Sequence, residues 1–283
     1  MIPSASLPRM GREEFVELRD LIAQRTGISI RDSRMDFLEY RVLDRMQATR
    51  TPTFRDYYYL LKYNRDTEGE MQALINVITV QETHFNRNPA QIKTFRDVIL
   101  PQLMDRRAKE GDRSLYVWSA ACATGEEPYT LAIAVSQNAR AAADFRVHLY
   151  ASDISTRALH LAERAVYSEH KLRDYDAATV QRYFQPLGER YSLVEKVRSM
   201  VTFSRINLVR PEESAHLPML DAIFCRNVFI YFDAAAKQRV SEILFKRLRP
   251  GGCVFLGNAE TIDVSGVPFK MKFMEGGMVY EKP

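Results

Sequence analysis

The sequence predicts an α/β protein in which a doubly wound, mostly parallel sheet follows an all-α N-terminal segment. Three observations lead there. Apolar residues recur at helical spacing through the first eighty positions. Beyond Asn88-Pro89, short apolar strands alternate with helices of about ten to fifteen residues, the rhythm of βαβ units. Near the end, two short strands flank Glu275-Gly-Gly277 and read as a hairpin that adds antiparallel strands at one edge.

In the helical segment, Glu13 to Thr26 carries Phe15, Leu18, Leu21 and Ile22 on one face, and Gly27 supplies a stop. Ser33 is positioned to cap a second helix with the stripe Met35, Leu38, Val42 and Met46. A third follows Thr53 through Phe54, Tyr57, Tyr58 and Leu61, and a fourth starts near Thr67 with Met71, Leu74, Ile75 and Ile78. In the α/β part, a helix over 90–105 leads to the strand Leu115–Trp118, a helix over 126–139 and a strand over 146–151 ending at Asp153. Ser155 then caps a helix through Ala165. Further strands fall at 200–204, 221–225 and 253–257, with a helix over 234–248 that stops at Pro250-Gly-Gly252. The hairpin strands are expected over 269–273 and 278–280. The polar stretch over about 167–200 breaks the rhythm and reads as a helical turn followed by a small antiparallel insertion.

Composition narrows the function. At roughly 150 residues per domain, 283 residues suggest about two domains. Forty Lys and Arg nearly cancel 36 Asp and Glu, which leaves +4 and argues against bulk capture of nucleic acid by charge. The apolar runs are far shorter than the ~18 residues of a membrane helix, and Met1-Ile-Pro-Ser-Ala-Ser6 has no apolar signal core. Cys122, Cys225 and Cys253 are odd in number and lack C-x-x-C spacing, against a disulfide framework and a thiolate zinc site. The five histidines, His84, His148, His160, His170 and His216, are scattered and read as structural or surface residues. Tyr57-Tyr-Tyr59 cannot form one flat stacking platform, because successive helical residues point about 100° apart. The expectation is a soluble, cytoplasmic, metal-free protein without membrane insertion.

Ligands of an open parallel sheet bind at the carboxyl ends of its strands, where strand order reverses. Trp118-Ser-Ala-Ala-Cys-Ala-Thr-Gly-Glu-Glu127 is a strand end, a run of small residues and a helix start. Gly125 is its only glycine, so the dinucleotide fingerprint G-x-G-x-x-G is absent and a pyrophosphate has no cradle. A nucleoside without phosphates fits better. Asp153 ends the next strand, where a carboxylate can accept both ribose hydroxyls; the competing reading is a helix cap. Asn207 and Arg226-Asn227 follow two further strands. These polar groups suit an adenosine with an amino-acid tail.

Ser119-Ala-Ala-Cys-Ala-Thr-Gly-Glu-Glu-Pro-Tyr129, with Phe224-Cys-Arg-Asn-Val-Phe-Ile-Tyr-Phe-Asp233 about a hundred residues later, closely resembles the CheR family. These are chemotaxis-receptor methyltransferases that esterify receptor glutamates with S-adenosylmethionine, releasing S-adenosylhomocysteine. The resemblance spans nearly the whole chain. It implies a class I S-adenosylmethionine-dependent methyltransferase sheet with a small antiparallel β insertion. The implied divisions are a receptor-docking helical domain over 1–80, a linker over 81–94 that contributes to the cofactor site, and a methyltransferase domain over 95–283 with the insertion at about 167–200. The family's linker pattern, T-N-x-T-x-F-F-R, is matched by Val80-Gln-Glu-Thr-His-Phe-Asn-Arg87. Gln81, Thr83 and Arg87 thereby fall at cofactor-contacting positions, as do Ala121, Glu127, Asp153, Asn207, Leu208, Arg226 and Asn227. At its matched position Arg87 would pair with the methionine carboxylate or lie beside the substrate carboxylate, and Tyr231 matches a motif tyrosine near the transferred methyl. Gln81 stands where the family usually has Asn, and Asn86 replaces an aromatic, so a slightly reshaped cofactor pocket is expected. Gly257-Asn-Ala-Glu-Thr261 stands where many members have G-H-S-E, so any role of that His is absent.

The implied partner is the cytoplasmic helical bundle of methyl-accepting chemotaxis receptors, met by a monomer and without nucleic acid. Residues 1–80 carry twelve positive and twelve negative side chains, so docking must come from distribution. Arg34, Arg41 and Arg45, spaced seven and four apart, line one side of the second helix and are the candidates for receiving an acidic receptor helix; the plain alternative is a solvated face. In this family the insertion can bind a short receptor C-terminal peptide. Phe184-Gln-Pro-Leu-Gly-Glu-Arg-Tyr-Ser-Leu193 is short, so weak or no tethering is expected. Two rivals remain. A non-enzymatic adaptor that binds S-adenosylmethionine would keep the same site. A nucleic-acid methyltransferase would want a basic channel and a proline-aromatic loop, which Arg226-Asn-Val-Phe does not offer.

Overall fold

The computed structural model describes residues 8–63 and 67–283; the opening segment read for a signal core, residues 1–6, lies outside them. The chain divides into two compact units, one made of the residues up to Val80 with Tyr231–Asp233, the other of Gln81–Ile230 and Ala234–Pro283.

The first unit holds helices α1 (Arg12–Thr26), α2 (Met35–Thr49), α3 (Phe54–Tyr63) and α4 (Thr67–Ile78). Their predicted apolar stripes form its interior: Phe15, Leu18, Leu38, Val42, Leu61 and Leu74 are all buried. Gly27 ends α1 in the left-handed conformation at φ 74°, donating its N–H to the Ala23 carbonyl. Ser33 does not cap α2. It sits inside a 3-10 turn, Asp32–Arg34, that leads directly into the helix, and no side chain accepts from the first turn. Tyr57 is buried and donates to Glu70 at 2.6 Å.

The second unit carries ten strands: β1 (Ser114–Ala120), β2 (Arg146–Asp153), β3 (Val166–Ser168), β4 (Phe184–Leu187), β5 (Arg190–Leu193), β6 (Val201–Arg205), β7 (Leu220–Cys225), β8 (Leu248–Leu256), β9 (Lys270–Met274) and β10 (Gly277–Glu281). Seven form the main sheet in the order β6-β2-β1-β7-β8-β10-β9. Its first five strands run parallel, and the closing hairpin inserts β10 antiparallel to β8 with β9 at the edge. Strand order reverses beside β1, which has β2 on one side and β7 on the other. The continuous burial of β7 follows from helices covering both faces of a parallel sheet.

The insertion is a three-stranded antiparallel sheet, β3-β5-β4, with the helix Ala177–Tyr183 between β3 and β4. Three local expectations change. The helix expected over 90–105 contains a π turn at Phe95–Ile99 and continues to Lys109. The helix expected over 126–139 ends at Gln137, because Asn138 starts a second short helix by accepting from the Ala141 N–H at 3.0 Å. Pro250-Gly-Gly252 lies inside β8, where the register with β7 shifts between Leu220 and Ala222. Among the described residues, no helix is long and apolar enough to cross a membrane. All three cysteines are buried and unpaired with one another.

Candidate active site at the strand ends

Beyond β1 the backbone takes positive φ at Ala121, Ala123 and Gly125 in succession. The tight winding is held by the Cys122 N–H on the Ser152 carbonyl (2.8 Å) and the Gly125 N–H on the Cys122 carbonyl (3.0 Å). Gly125 is needed twice over. Its φ is 92°, and an added Cβ would stand 2.8 Å from the Ala162 Cβ.

Asp153, at the end of β2, is buried. One carboxylate oxygen accepts the Ala123 N–H at 2.9 Å and the other the Ser155 N–H at 2.8 Å. Ser155 caps the next helix by accepting from the Ala158 N–H. Capping and carboxylate are thus separate duties of neighbouring residues. Burial raises the Asp153 carboxyl above its ordinary range, while the backbone N–H groups pull it down. Asn207 follows Ile206, whose N–H donates to the Asp153 carbonyl at 3.2 Å; Asn207 and Leu208 are buried.

At the end of β7, the Arg226 guanidinium meets Glu127 at 3.3 Å and donates to the Arg87 carbonyl at 2.6 Å. Ser119 donates to the other Glu127 oxygen at 2.7 Å. The fold therefore joins the Arg87 carbonyl, Glu127 and Arg226 in one bonded cluster drawn from the linker, the start of the helix after β1 and the end of β7. The Arg87 side chain itself donates to the Glu82 carbonyl at 3.2 Å. The buried Arg226 Nε has no hydrogen-bond partner, which leaves one cationic donor among acids. Asn227, at φ 59°, has its N–H accepted by Glu260 at 2.6 Å.

Glu260 is a residue that sequence reasoning missed. Its carboxylate also accepts the N–H groups of Gly257 (2.8 Å) and Ile230 (3.3 Å), tying the end of β8 to the loop after β7. The signal lies in Gly257-Asn-Ala-Glu-Thr261, whose acid follows the end of β8 by four residues. Glu126 is a second such residue. It is fully buried and lies 3.0 Å from the Lys171 ammonium. Linker residue His84 sits 2.9 Å from Asp174.

The remaining candidates make other contacts. Thr83 offers its carbonyl to Lys171, and Gln81 opens the linker of the second unit. Tyr231 belongs by its contacts to the helical unit, where its carbonyl accepts the Ser29 N–H at 2.7 Å. In that unit Arg45 makes a two-point contact with Glu70 at 3.0 and 2.7 Å, so this member of the arginine row ties α2 to α4. Arg34 and Arg41 instead lie over the Phe37 ring at 4.4 and 5.5 Å. Among the described residues no group of three or more His, Cys, Asp or Glu could hold a metal ion.

A five-stranded parallel core, an antiparallel closing hairpin and acids at two strand ends define a nucleoside-binding domain of the class I methyltransferase kind. Residues 81–278 match the family model "CheR methyltransferase, SAM binding domain" and residues 13–79 match "CheR methyltransferase, all-alpha domain". The chain belongs to the CheR methyltransferase family, and its cofactor is S-adenosylmethionine. It is 31% identical to chemotaxis protein methyltransferase 2 of Vibrio cholerae over 95% of this chain and 93% of that one. Identity is 35% to chemotaxis protein methyltransferase 2 of Pseudomonas aeruginosa (88% and 86% covered) and 33% to the chemotaxis protein methyltransferase of Escherichia coli (87% and 83%). The residues present fit the cofactor. Asp153 is a buried acceptor whose own bonds come from backbone N–H groups, and the β1 loop has no glycine-rich phosphate cradle.

Proposed function

We propose that this chain transfers the methyl group of S-adenosylmethionine to glutamate side-chain carboxylates of chemotaxis receptors, forming methyl esters. The observation that carries the reading is the bonded cluster of Glu127, Arg226 and the Arg87 carbonyl, together with the buried Asp153 that ends β2. The names of the relatives direct it to chemotaxis.

Asp153 is the residue to hold the ribose hydroxyls, Asn207 and Leu208 to line the adenosine, and Glu127, Arg226, Asn227, Ala121, Gln81 and Thr83 to receive the rest of the cofactor. The cofactor, when bound, supplies a methyl group on a positively charged sulfur. The chain needs no general base, since a glutamate with a pKa near ~4.3 is already ionised at neutral pH. Its work is alignment, which converts an encounter into a positioned displacement. Arg87 is the residue to contact the cofactor or orient the incoming carboxylate, and Tyr231 is kept as the motif tyrosine assigned near the transferred methyl. A tight arginine clamp would stabilise the ionised reactant more than the transition state, in which both charges fade. An Arg87 guanidinium that also donates to a carbonyl of its own linker suits orientation without a clamp.

In this reading residues 1–80 dock the receptor, 81–94 complete the cofactor site, and 95–283 hold the catalytic sheet. Each ester formed removes one negative charge from a carboxylate-rich helical bundle and shifts its balance between signalling states. Incubation with tritiated cofactor and receptor-containing membranes tests the proposal. Base-labile label on a receptor glutamate, placed by its mass shift, is the expected result. Base-stable label on nucleic acid, or cofactor binding without transfer, would replace it.

A further inference from the structure

Lys171 lies in the 3-10 turn Glu169–Leu172 that follows β3. Its ammonium is 3.0 Å from the carboxylate of the fully buried Glu126 and donates to the Thr83 carbonyl. Its own carbonyl accepts the Phe85 N–H at 2.9 Å. Lys171 thus grips the linker on both sides of His84. The opposite oxygen of Glu126 receives the Thr124 hydroxyl at 2.6 Å, within the tight loop after β1. Asn86 extends the attachment, its N–H on the Thr130 hydroxyl (3.0 Å) and its side chain on the Asp174 carbonyl (2.9 Å).

A continuous path of polar contacts therefore runs from the β1 loop through Glu126 and Lys171 to Thr83. It joins two segments far apart in sequence that both carry candidate cofactor residues. We infer that Glu126 and Lys171 are positioning residues that hold the linker 81–87 against the β1 loop and thereby set cofactor affinity, a role that rests on the cofactor-site reading above. Neither side chain needs to touch the cofactor. The ammonium offsets the cost of burying a carboxylate, and in the same position it fixes a carbonyl of the linker.

The test is calorimetric titration of S-adenosylhomocysteine into the full chain, with the Tm of the ligand-free protein measured alongside. Lys171→Met is expected to weaken binding by about tenfold, the scale of one charge-assisted hydrogen bond. Lys171→Arg, which keeps the charge beside Glu126 and a donor for Thr83, is expected to restore it to within about threefold. Lys171→Met also strands a buried carboxylate, so Glu126→Gln with Lys171→Met provides the control. That pair is expected to regain the lost Tm and still bind weakly, because Thr83 lacks its donor. Recovery of both Tm and affinity in the double variant would overturn the inference, as would unchanged affinity in Lys171→Met while Asp153→Asn loses binding. Unchanged affinity in Asp153→Asn would overturn the site reading itself, and the positioning role with it.

Discussion

The Arg226 guanidinium lies 3.3 Å from the Glu127 carboxylate, with only 2% and 13% of the two side chains exposed. Burial pushes the Glu127 carboxyl up and the Arg226 guanidinium down, and each partner's charge opposes the other's shift. Removing one member alone leaves an uncompensated buried charge. Arg226→Met is therefore expected to cost about 3–5 kcal/mol, a fall in Tm of roughly 6–20 °C for a unit of this size. Glu127→Gln with Arg226→Met should regain most of that Tm, while calorimetry finds S-adenosylhomocysteine binding weakened in both. A Tm unchanged in Arg226→Met would mean that solvent reaches the carboxylate.

Glu260 serves three backbone N–H groups from two segments, so its loss is felt where the β7 loop presents Arg226 and Asn227. Glu260→Ala leaves buried donors unsatisfied, at about 1–3 kcal/mol each. The expected result is a lower Tm together with cofactor affinity reduced by about tenfold or more. Glu260→Gln keeps one acceptor oxygen and should fall between. Gly257→Ala acts on the same contact, since its Cβ would stand 2.7 Å from a Glu260 carboxylate oxygen and 3.1 Å from the Asn227 nitrogen. If affinity survives in Glu260→Ala, the loop is held by other contacts.

His84 carries a pH dependence whose direction follows from its partners. Its Nδ1 receives the Arg173 guanidinium at 2.7 Å and its Nε2 faces the Asp174 carboxylate at 2.9 Å, an arrangement that suits the neutral ring. Burial foremost, then the Arg173 charge, lowers its pKa below the ordinary 6.5. Above that value the ring is neutral folded or unfolded. As pH falls through 6.5 the unfolded chain takes the proton first, so stability drops until the folded ring also titrates. Tm measured from pH 7.5 to 5 should therefore fall more steeply in the native protein than in His84→Gln. Parallel curves would assign the acid sensitivity to other groups.

Arg34 and Arg41 share the Phe37 ring, whereas Arg45 is engaged with Glu70. Arg34→Glu with Arg41→Glu is expected to raise the KM for receptor by about tenfold, chiefly through slower encounter and more steeply at low salt. Cofactor affinity should not change. Arg45→Glu would set a carboxylate against Glu70 and Tyr57 and lower the Tm of the helical unit, so it is a poor probe of docking. A receptor KM unmoved by the Arg34 and Arg41 reversals would leave that face as solvated surface.

The alternation of apolar strands and amphipathic helices was legible in the sequence because it depends on periods of 2 and 3.6 residues within one segment. The same local logic marked the strand end at Asp153, the Ser155 cap, the Gly27 stop and the tight turn at Gly125. Ser33 misled for a local reason too, since a 3-10 turn can occupy the place of a cap.

What the tertiary structure decided were partnerships across long separations. Arg226 donates to a carbonyl 139 positions earlier, and Lys171 reaches Thr83 across 88. Periodicity is silent on which of two adjacent carboxylates, Glu126 or Glu127, meets an ammonium and which a guanidinium, because both open the same helix. The same holds for Arg41 and Arg45, neighbours at helical spacing of which one is drawn into an ion pair by a helix 25 residues away. A side chain's chemistry is written in the sequence, but its counter-charge is supplied by whatever the fold packs against it.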